Sequence, residues 1–253
     1  MKNYITVLAV GAVAAVCGAA EAGIIPLYSQ NFDDMTTGST SALPAGWRFA
    51  AASPTWSGTT TAAVTQNAGT TGTGPGTGAV TGFSSGGAYL WVNGVLASGT
   101  DKSIGFLSSN TYSSPRSIMM SYTNDTGNDL SSFTASWDYE KYRSGTRAFS
   151  WTFFASTDGT NWTAVTGGDQ SYTSDANNTT VFNPPSTIAK SVEINQSVAN
   201  GGTLYLRWTY TGNGGSSNAQ GLSIDNFSLT AVPAPGAMAL LGVAGLLGAR
   251  RRR

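Results

Sequence analysis

The chain has no histidine and only one cysteine, Cys17, which lies in the apolar stretch near its N-terminus. Without histidine, neither a Ser–His–Asp nor a Cys–His nucleophile can be assembled. A zinc site built from the usual His and Cys ligands is excluded as well. No disulfide framework can form within the chain. Any enzyme made from this sequence would have to work with carboxylates, Tyr, Lys, Arg or an oxygen-ligated metal. Charge is scarce too, with only 10% of residues charged. Between the first 22 and the last 22 residues there are eight basic and twelve acidic side chains. That mildly acidic balance argues against a nucleic-acid ligand, which calls for a basic face.

Long helical periodicity is absent except at the two ends. The N-terminus reads Met1-Lys2-Asn3, then an apolar stretch Ile5–Val16, then Ala20-Glu21-Ala22. One positive charge, a short apolar core and a small-x-small site (Ala20, Ala22) make a secretory signal peptide, cleaved after Ala22. The bulky Val16 before Cys17 does not suit a lipoprotein site. The C-terminus reads Val232-Pro233-Ala234-Pro235, then an uncharged run Gly236–Ala249, then Arg250, Arg251, Arg252 and Arg253. As a helix the run Gly236–Ala249 spans about 21 Å, and counting from Ala231 roughly 28 Å, against a hydrocarbon core of about 30 Å. It is a short transmembrane helix, and the arginine cluster holds its end in the cytoplasm. The bland alternative is a plain membrane anchor.

This order of proline motif, short apolar helix and arginine cluster resembles the PEP-CTERM sorting tail. The resemblance rests on Val232, Pro233, Pro235, Gly236–Ala249 and Arg250–Arg253, under a tenth of the chain. Ala234 stands where that family usually has Glu. The resemblance implies recognition by exosortase, a membrane-embedded transpeptidase. It also implies transient insertion in the inner membrane and a final location at the cell surface or in the extracellular matrix.

The intervening residues 23–231 form one domain with a period of two. Apolar and polar residues alternate through Phe133–Tyr139, Phe149–Phe153 and Leu204–Tyr210. Leu222-Ile224 and Phe227-Leu229 alternate likewise around Asp225-Asn226, with a phase shift that predicts a bulge. β-branched and aromatic residues at this spacing read as half-buried strands. Asp158-Gly159 predicts a hairpin between Ala148–Thr157 and Asn161–Val165. Further strands are expected at Trp47–Ala52, Ala88–Val92, Ser103–Leu107, Ser117–Tyr122 and Ile188–Ile194. Within Ser57–Gly87, rich in Thr, Gly, Ala and Ser, one or two weak strands and a loop at Gly69–Gly78 are expected. The fold class is therefore all-β, a two-sheet antiparallel sandwich of jelly-roll type. Gln30-Asn31-Phe32-Asp33-Asp34, Leu43–Trp47 and Leu204–Trp208 with Ile224–Phe227 resemble the opening and closing segments of secreted bacterial jelly-roll, lectin-like domains. That resemblance implies the fold.

Three sets of residues are candidates for a site. Asp33, Asp34 and Asp225, from opposite ends of the domain, could ligate one structural Ca²⁺, a hard ion that takes six to eight oxygens. The competing reading makes them turn acids and a bridging acid. Asp138 and Glu140, two apart on a strand, could be the acid and base of a glycosidase, or a solvated charge ladder with Lys141, Arg143 and Arg147. Trp56, Tyr139, Tyr142, Trp162 and Tyr172 could stack sugars, although most aromatics on the strand stripes belong in the core. The sequence reads best as an exported, non-catalytic structural, adhesive or glycan-contacting sandwich, with extracellular polysaccharide as its partner. A carbohydrate-active hydrolase is the alternative, and an inert matrix filler a third.

Overall fold

A computed structural model describes residues 23–36, 42–51, 55–56, 86–92, 100–109, 112–175, 181–212 and 219–234. The expected signal peptide, most of Ser57–Gly87 and the expected sorting tail beyond Ala234 lie outside the described residues. Among those described, no helix is long and apolar enough to cross a membrane.

Among the described residues, twelve strands make two six-stranded antiparallel sheets. They are β1 (Ile25–Gln30), β2 (Trp47–Ala51), β3 (Gly87–Val92), β4 (Lys102–Leu107), β5 (Arg116–Thr123), β6 (Leu130–Arg143), β7 (Phe149–Ser156), β8 (Thr163–Ala164), β9 (Gln170–Tyr172), β10 (Val181–Ile194), β11 (Thr203–Gly212) and β12 (Gly221–Pro233). The first sheet runs β10-β6-β12-β4-β3, with β1 also on β12; the second runs β2-β5-β11-β7-β8, with β9 also on β7. The expected two-sheet antiparallel sandwich is the observed architecture.

β12 is the axis of the first sheet. One side pairs throughout with β6, while the other is shared, β4 taking Leu222–Ile224 and β1 taking Phe227–Ala231. The handover falls at the bulge predicted from the phase shift: the β6 register breaks between Asp225 and Ser228, and Asn226 has φ 50°. An extra residue on one strand restores the inward stripe after the break. Strand β12 also continues past the expected domain boundary at 231. Pro233 pairs with Leu130 and the Ala234 N–H donates to the Asp129 carbonyl at 2.9 Å. Val232 and Pro233 thus belong to the sandwich. A proline is tolerated there because it ends the strand at a register shift.

The inward stripes fill the space between the sheets. Phe133, Trp137 and Tyr139 from β6 meet Trp151 and Phe153 from β7 and Trp208 from β11, all at most 2% exposed. Rings this large dominate the apolar area removed from water, each side chain contributing roughly 1.5–3 kcal/mol. That aromatic packing, with no disulfide, holds the sheets together.

Candidate functional site

Alternation places the remaining side chains of each strand on the two outward faces, and the faces differ in chemistry. On the first sheet, Ser103, Ser223, Asp225, Asp138, Glu140 and Tyr142 share the outward side with Tyr89 and Trp91. Trp91 lies parallel to Tyr142, centroids 5.2 Å apart at 11°, and Tyr89 stacks beside Trp91 at 4.8 Å. The Tyr142 hydroxyl donates to Glu140 Oε2 at 2.9 Å, and Ser103 Oγ donates to Ser223 Oγ at 2.8 Å. Glu140 is 5% exposed and Asp225 1%. Burial raises the pKa of both carboxyls, and for Asp225 burial with the nearby Glu140 charge brings it to about 8. Asp225 Oδ1 has no hydrogen-bond partner among the described residues.

Several expectations are corrected here. Tyr139 and Tyr142 are not surface stacking residues. Tyr139 faces the core, stacked on Trp151 at 5.8 Å, with its hydroxyl donating to the Gly168 carbonyl at 2.8 Å. Tyr142 is outward but covered, 1% exposed. Tyr172 is buried as well. The Asp138–Glu140 pair is not a solvated ladder: Glu140 is buried in a hydroxyl network, and Asp138 accepts from Asn226 Nδ2 at 3.0 Å. Nor do Asp33, Asp34 and Asp225 meet as metal ligands, since no three such side chains come together among the described residues. The Asp33 carboxylate takes the Lys102 backbone N–H at 2.8 Å and Asn31 Nδ2 at 2.7 Å, while the Asp33 carbonyl takes the Lys102 ammonium. Asp34 is exposed and lines an open polar groove with Gln30, Asn31 and Asn226.

The second sheet brings the other two stacking candidates to one face. Trp56 and Trp162 are both half-buried. Trp56 is tied to the β7–β8 hairpin by its N–H, which donates to the Gly159 carbonyl at 2.6 Å. Its ring lies 5.2 Å from the half-buried Tyr205 ring, and the Arg48 guanidinium sits 4.0 Å above it. Arg48 also donates from Nη1 to the Trp56 carbonyl at 2.8 Å. Trp162 lies 4.5 Å from the Arg207 guanidinium, which also lies 4.3 Å from the Phe154 ring. Burial lowers the Arg207 pKa to about 10, so it remains a cation at neutral pH. Such cation–π contacts contribute about 0.5–2 kcal/mol each and hold the indoles in fixed orientations. Rigid, half-exposed indole and phenol rings offer apolar surface at low entropic cost.

The hairpin that carries Trp162 follows from its own sequence. Ser156-Thr-Asp-Gly supplies a carboxylate at Asp158 and a left-handed Gly159, φ 68°. Asp158 accepts from Asn161 Nδ2 at 2.7 Å and from the N–H groups of Thr160 and Asn161. Those donors, Asn161 first, hold its pKa well below the usual carboxylate range. Tyr205, Arg48 and Arg207 were missed in the sequence. The only signal for Tyr205 and Arg207 was an outward position on a strand whose other outward residues are Thr, and for Arg48 its alternation with the inward Trp47 and Phe49.

No family model and no curated protein matches the chain. Among solved structures, the K3 cleaved adhesin domain of Lys-gingipain from Porphyromonas gingivalis is similar at 11% identity and TM-score 0.44, covering 81% of this chain and 99% of that one. The CBM22-1 xylan-binding domain of Paenibacillus barcinonensis Xyn10C is similar at 12% identity and TM-score 0.42, covering 85% and 99%. TmCBM61, solved with β-1,4-galactotriose, is similar at 13% identity and TM-score 0.31, covering 51% and 70%.

Proposed function

We propose that this chain is an exported protein of the cell surface or extracellular matrix whose sandwich is a non-catalytic, glycan-contacting domain. Its contact surface is the part of the second sheet's outer side where Trp56, Tyr205 and Trp162 are half-exposed. The observation that carries this reading is the set of three half-exposed rings, Trp56 and Trp162 each against an arginine and Tyr205 against Trp56. Pyranose rings present C–H faces that stack on such surfaces, and their hydroxyls suit the exposed Thr157, Thr160 and Asn161 of the adjoining hairpin. In the same reading, the segment beyond Ala234 is the exosortase-type sorting tail and residues 1–22 the signal peptide.

The test is affinity electrophoresis of the native protein through a panel of polysaccharides, with turnover of the same polymers followed in parallel. Retention without turnover, weakened roughly tenfold or more by Trp162→Ala or Trp56→Ala with the far-UV spectrum unchanged, is the expected result; tenfold corresponds to about 1.4 kcal/mol. Hydrolysis that is lost in Glu140→Gln would replace this reading with that of a carbohydrate-active enzyme.

A further inference from the structure

Six Asn-x-Ser/Thr triplets stand in the sequence, at Asn124, Asn161, Asn177, Asn178, Asn195 and Asn226. Such a triplet suits an N-linked glycan only where the folded chain leaves its amide and hydroxyl at the surface. Asn177 and Asn178 lie outside the described residues. The fold separates the other four.

Asn124 is 0% exposed, and its Nδ2 donates to the carbonyls of Asn128 at 2.8 Å and Val198 at 3.1 Å. A glycan has no room there. Asn161 and Asn226 are exposed, but a carboxylate holds each amide. Asn161 Nδ2 donates to Asp158 at 2.7 Å and Asn226 Nδ2 to Asp138 at 3.0 Å, bonds that a transferase would first have to break. Asn226 also sits within β12, at the bulge. Asn195 differs on each count. It is exposed, and its side chain has no hydrogen-bond partner among the described residues; the same holds for Ser197, the hydroxyl of its triplet. Both stand in the three-residue connection from Ile194, the end of β10, to Val198, which bridges to Leu130. The Gln196 N–H donates to the Ile194 carbonyl at 3.0 Å, a tight turn with Asn195 at its apex. Paired backbone on both sides fixes that turn, Ile194 on Phe133 and Val198 on Leu130. Asn195 also borders an open groove with Thr163, Thr166 and Glu193.

We infer that Asn195 is an N-glycosylation site, modified by a membrane oligosaccharyltransferase from an oligosaccharide carried on a lipid pyrophosphate. The Asn195 amide nitrogen bonds to the anomeric carbon of the first sugar. The bond from that carbon to the pyrophosphate oxygen breaks, the lipid pyrophosphate leaves, and one amide proton passes to a base of the transferase. The glycan also has a physical role at this place. Among the described residues β10 is an edge strand of the first sheet, and an edge offers unpaired backbone groups to another chain. A hydrated glycan rooted at its end bars that approach.

This rests on the export part of the reading above and is independent of what the aromatic rings bind. The experiment is peptide mapping by mass spectrometry of the native protein from surface and medium fractions. The peptide holding Asn195 is expected to carry an increment of whole sugar residues. Asn195→Gln and Ser197→Ala, both surface changes, are expected to lose it and to keep the far-UV spectrum. An exported form beginning at Gly23 with Asn195 unmodified would overturn the inference and leave export standing. An increment that persists in Asn195→Gln belongs to another residue and would overturn it too. A chain found only in the cytoplasm, with residues 1–22 in place, would overturn both. If a variant does not fold, the peptide map of the unaltered protein decides alone.

Discussion

Trp47 and Trp208 lie nearly parallel, ring centroids 5.8 Å apart at 15°, and Phe227 from the opposite sheet meets both edge-on, at 5.4 and 5.6 Å. The three rings clamp the sheets where β1 replaces β4 alongside β12.

Trp208 also touches Trp137 and Phe153, so no single neighbour can close the space it would leave. Trp208→Ala is expected to cost about 3–5 kcal/mol. Urea unfolding monitored by near-UV circular dichroism measures it. A loss under 1 kcal/mol would mean the clamp is not formed.

Asp225 gives a pH dependence of defined sign. Its pKa is raised in the fold to about 8, against an ordinary value near 4. The folded state therefore holds a proton that the unfolded state releases. Stability from this group is full below about pH 4 and is lost as pH rises toward 8, and the buried Glu140 acts in the same direction. Asp225→Asn is expected to flatten the dependence of Tm on pH between 4 and 8 and to raise Tm at pH 8. A wild-type Tm that climbs over that range would contradict the burial of this carboxyl.

Gly159 cannot be replaced cheaply. Its φ of 68° is in the left-handed region, and a Cβ there would fall 2.6 Å from the Cβ of Trp56. Gly159→Ala is expected to destabilise by about 1–3 kcal/mol and to shift Trp56 off Tyr205. Thermal unfolding and indole fluorescence together report both effects.

The Tyr210 hydroxyl, fully buried, donates to the Gln220 carbonyl at 2.6 Å and accepts from the Ser108 N–H at 3.3 Å. Tyr210→Phe leaves both backbone groups unsatisfied and is expected to cost about 1–3 kcal/mol. Denaturant titration at neutral pH checks the figure, and an unchanged midpoint would refute the contact.

If the tail is processed as proposed, the cut falls beyond Ala234, because Val232–Ala234 is bonded to the start of β6. Intact mass of the native protein from membrane and medium fractions should then show a released form beginning at Gly23 and retaining Ala234. A single membrane form still carrying Arg253 would reduce the tail to an anchor.

Most of this sandwich could be read from period two alone. Phe149-Trp151-Phe153 and Leu204-Leu206-Trp208-Tyr210 point inward as their alternation requires, and the bulge at Asp225-Asn226 and the Asp158-Gly159 hairpin fall where expected. β1 was not predicted, because Ile-Pro-Leu-Tyr-Ser-Gln is short and holds a proline. The first half of β10 was missed for a similar reason, as Pro184-Pro185 are tolerated only on an edge strand. The stacking residues divided because alternation fixes a face and does not tell what covers it. Tyr142 is outward by register yet lies under Trp91, whereas Trp56 and Trp162 sit near turns and keep part of their rings exposed. Arg207 carried no motif; only the register that sets it between Met119 and Phe154 gives it meaning.

β12, the axis of the first sheet, is the last of the described strands to leave the ribosome. Until it arrives, β6 lacks one neighbour and β1 has none, and the β1–β12 ladder joins Ile25 to Ala231 across nearly the whole domain. Pairings that span so much sequence form late and slowly. The first sheet therefore stays open until β12 emerges, and its closure is timed by that one strand.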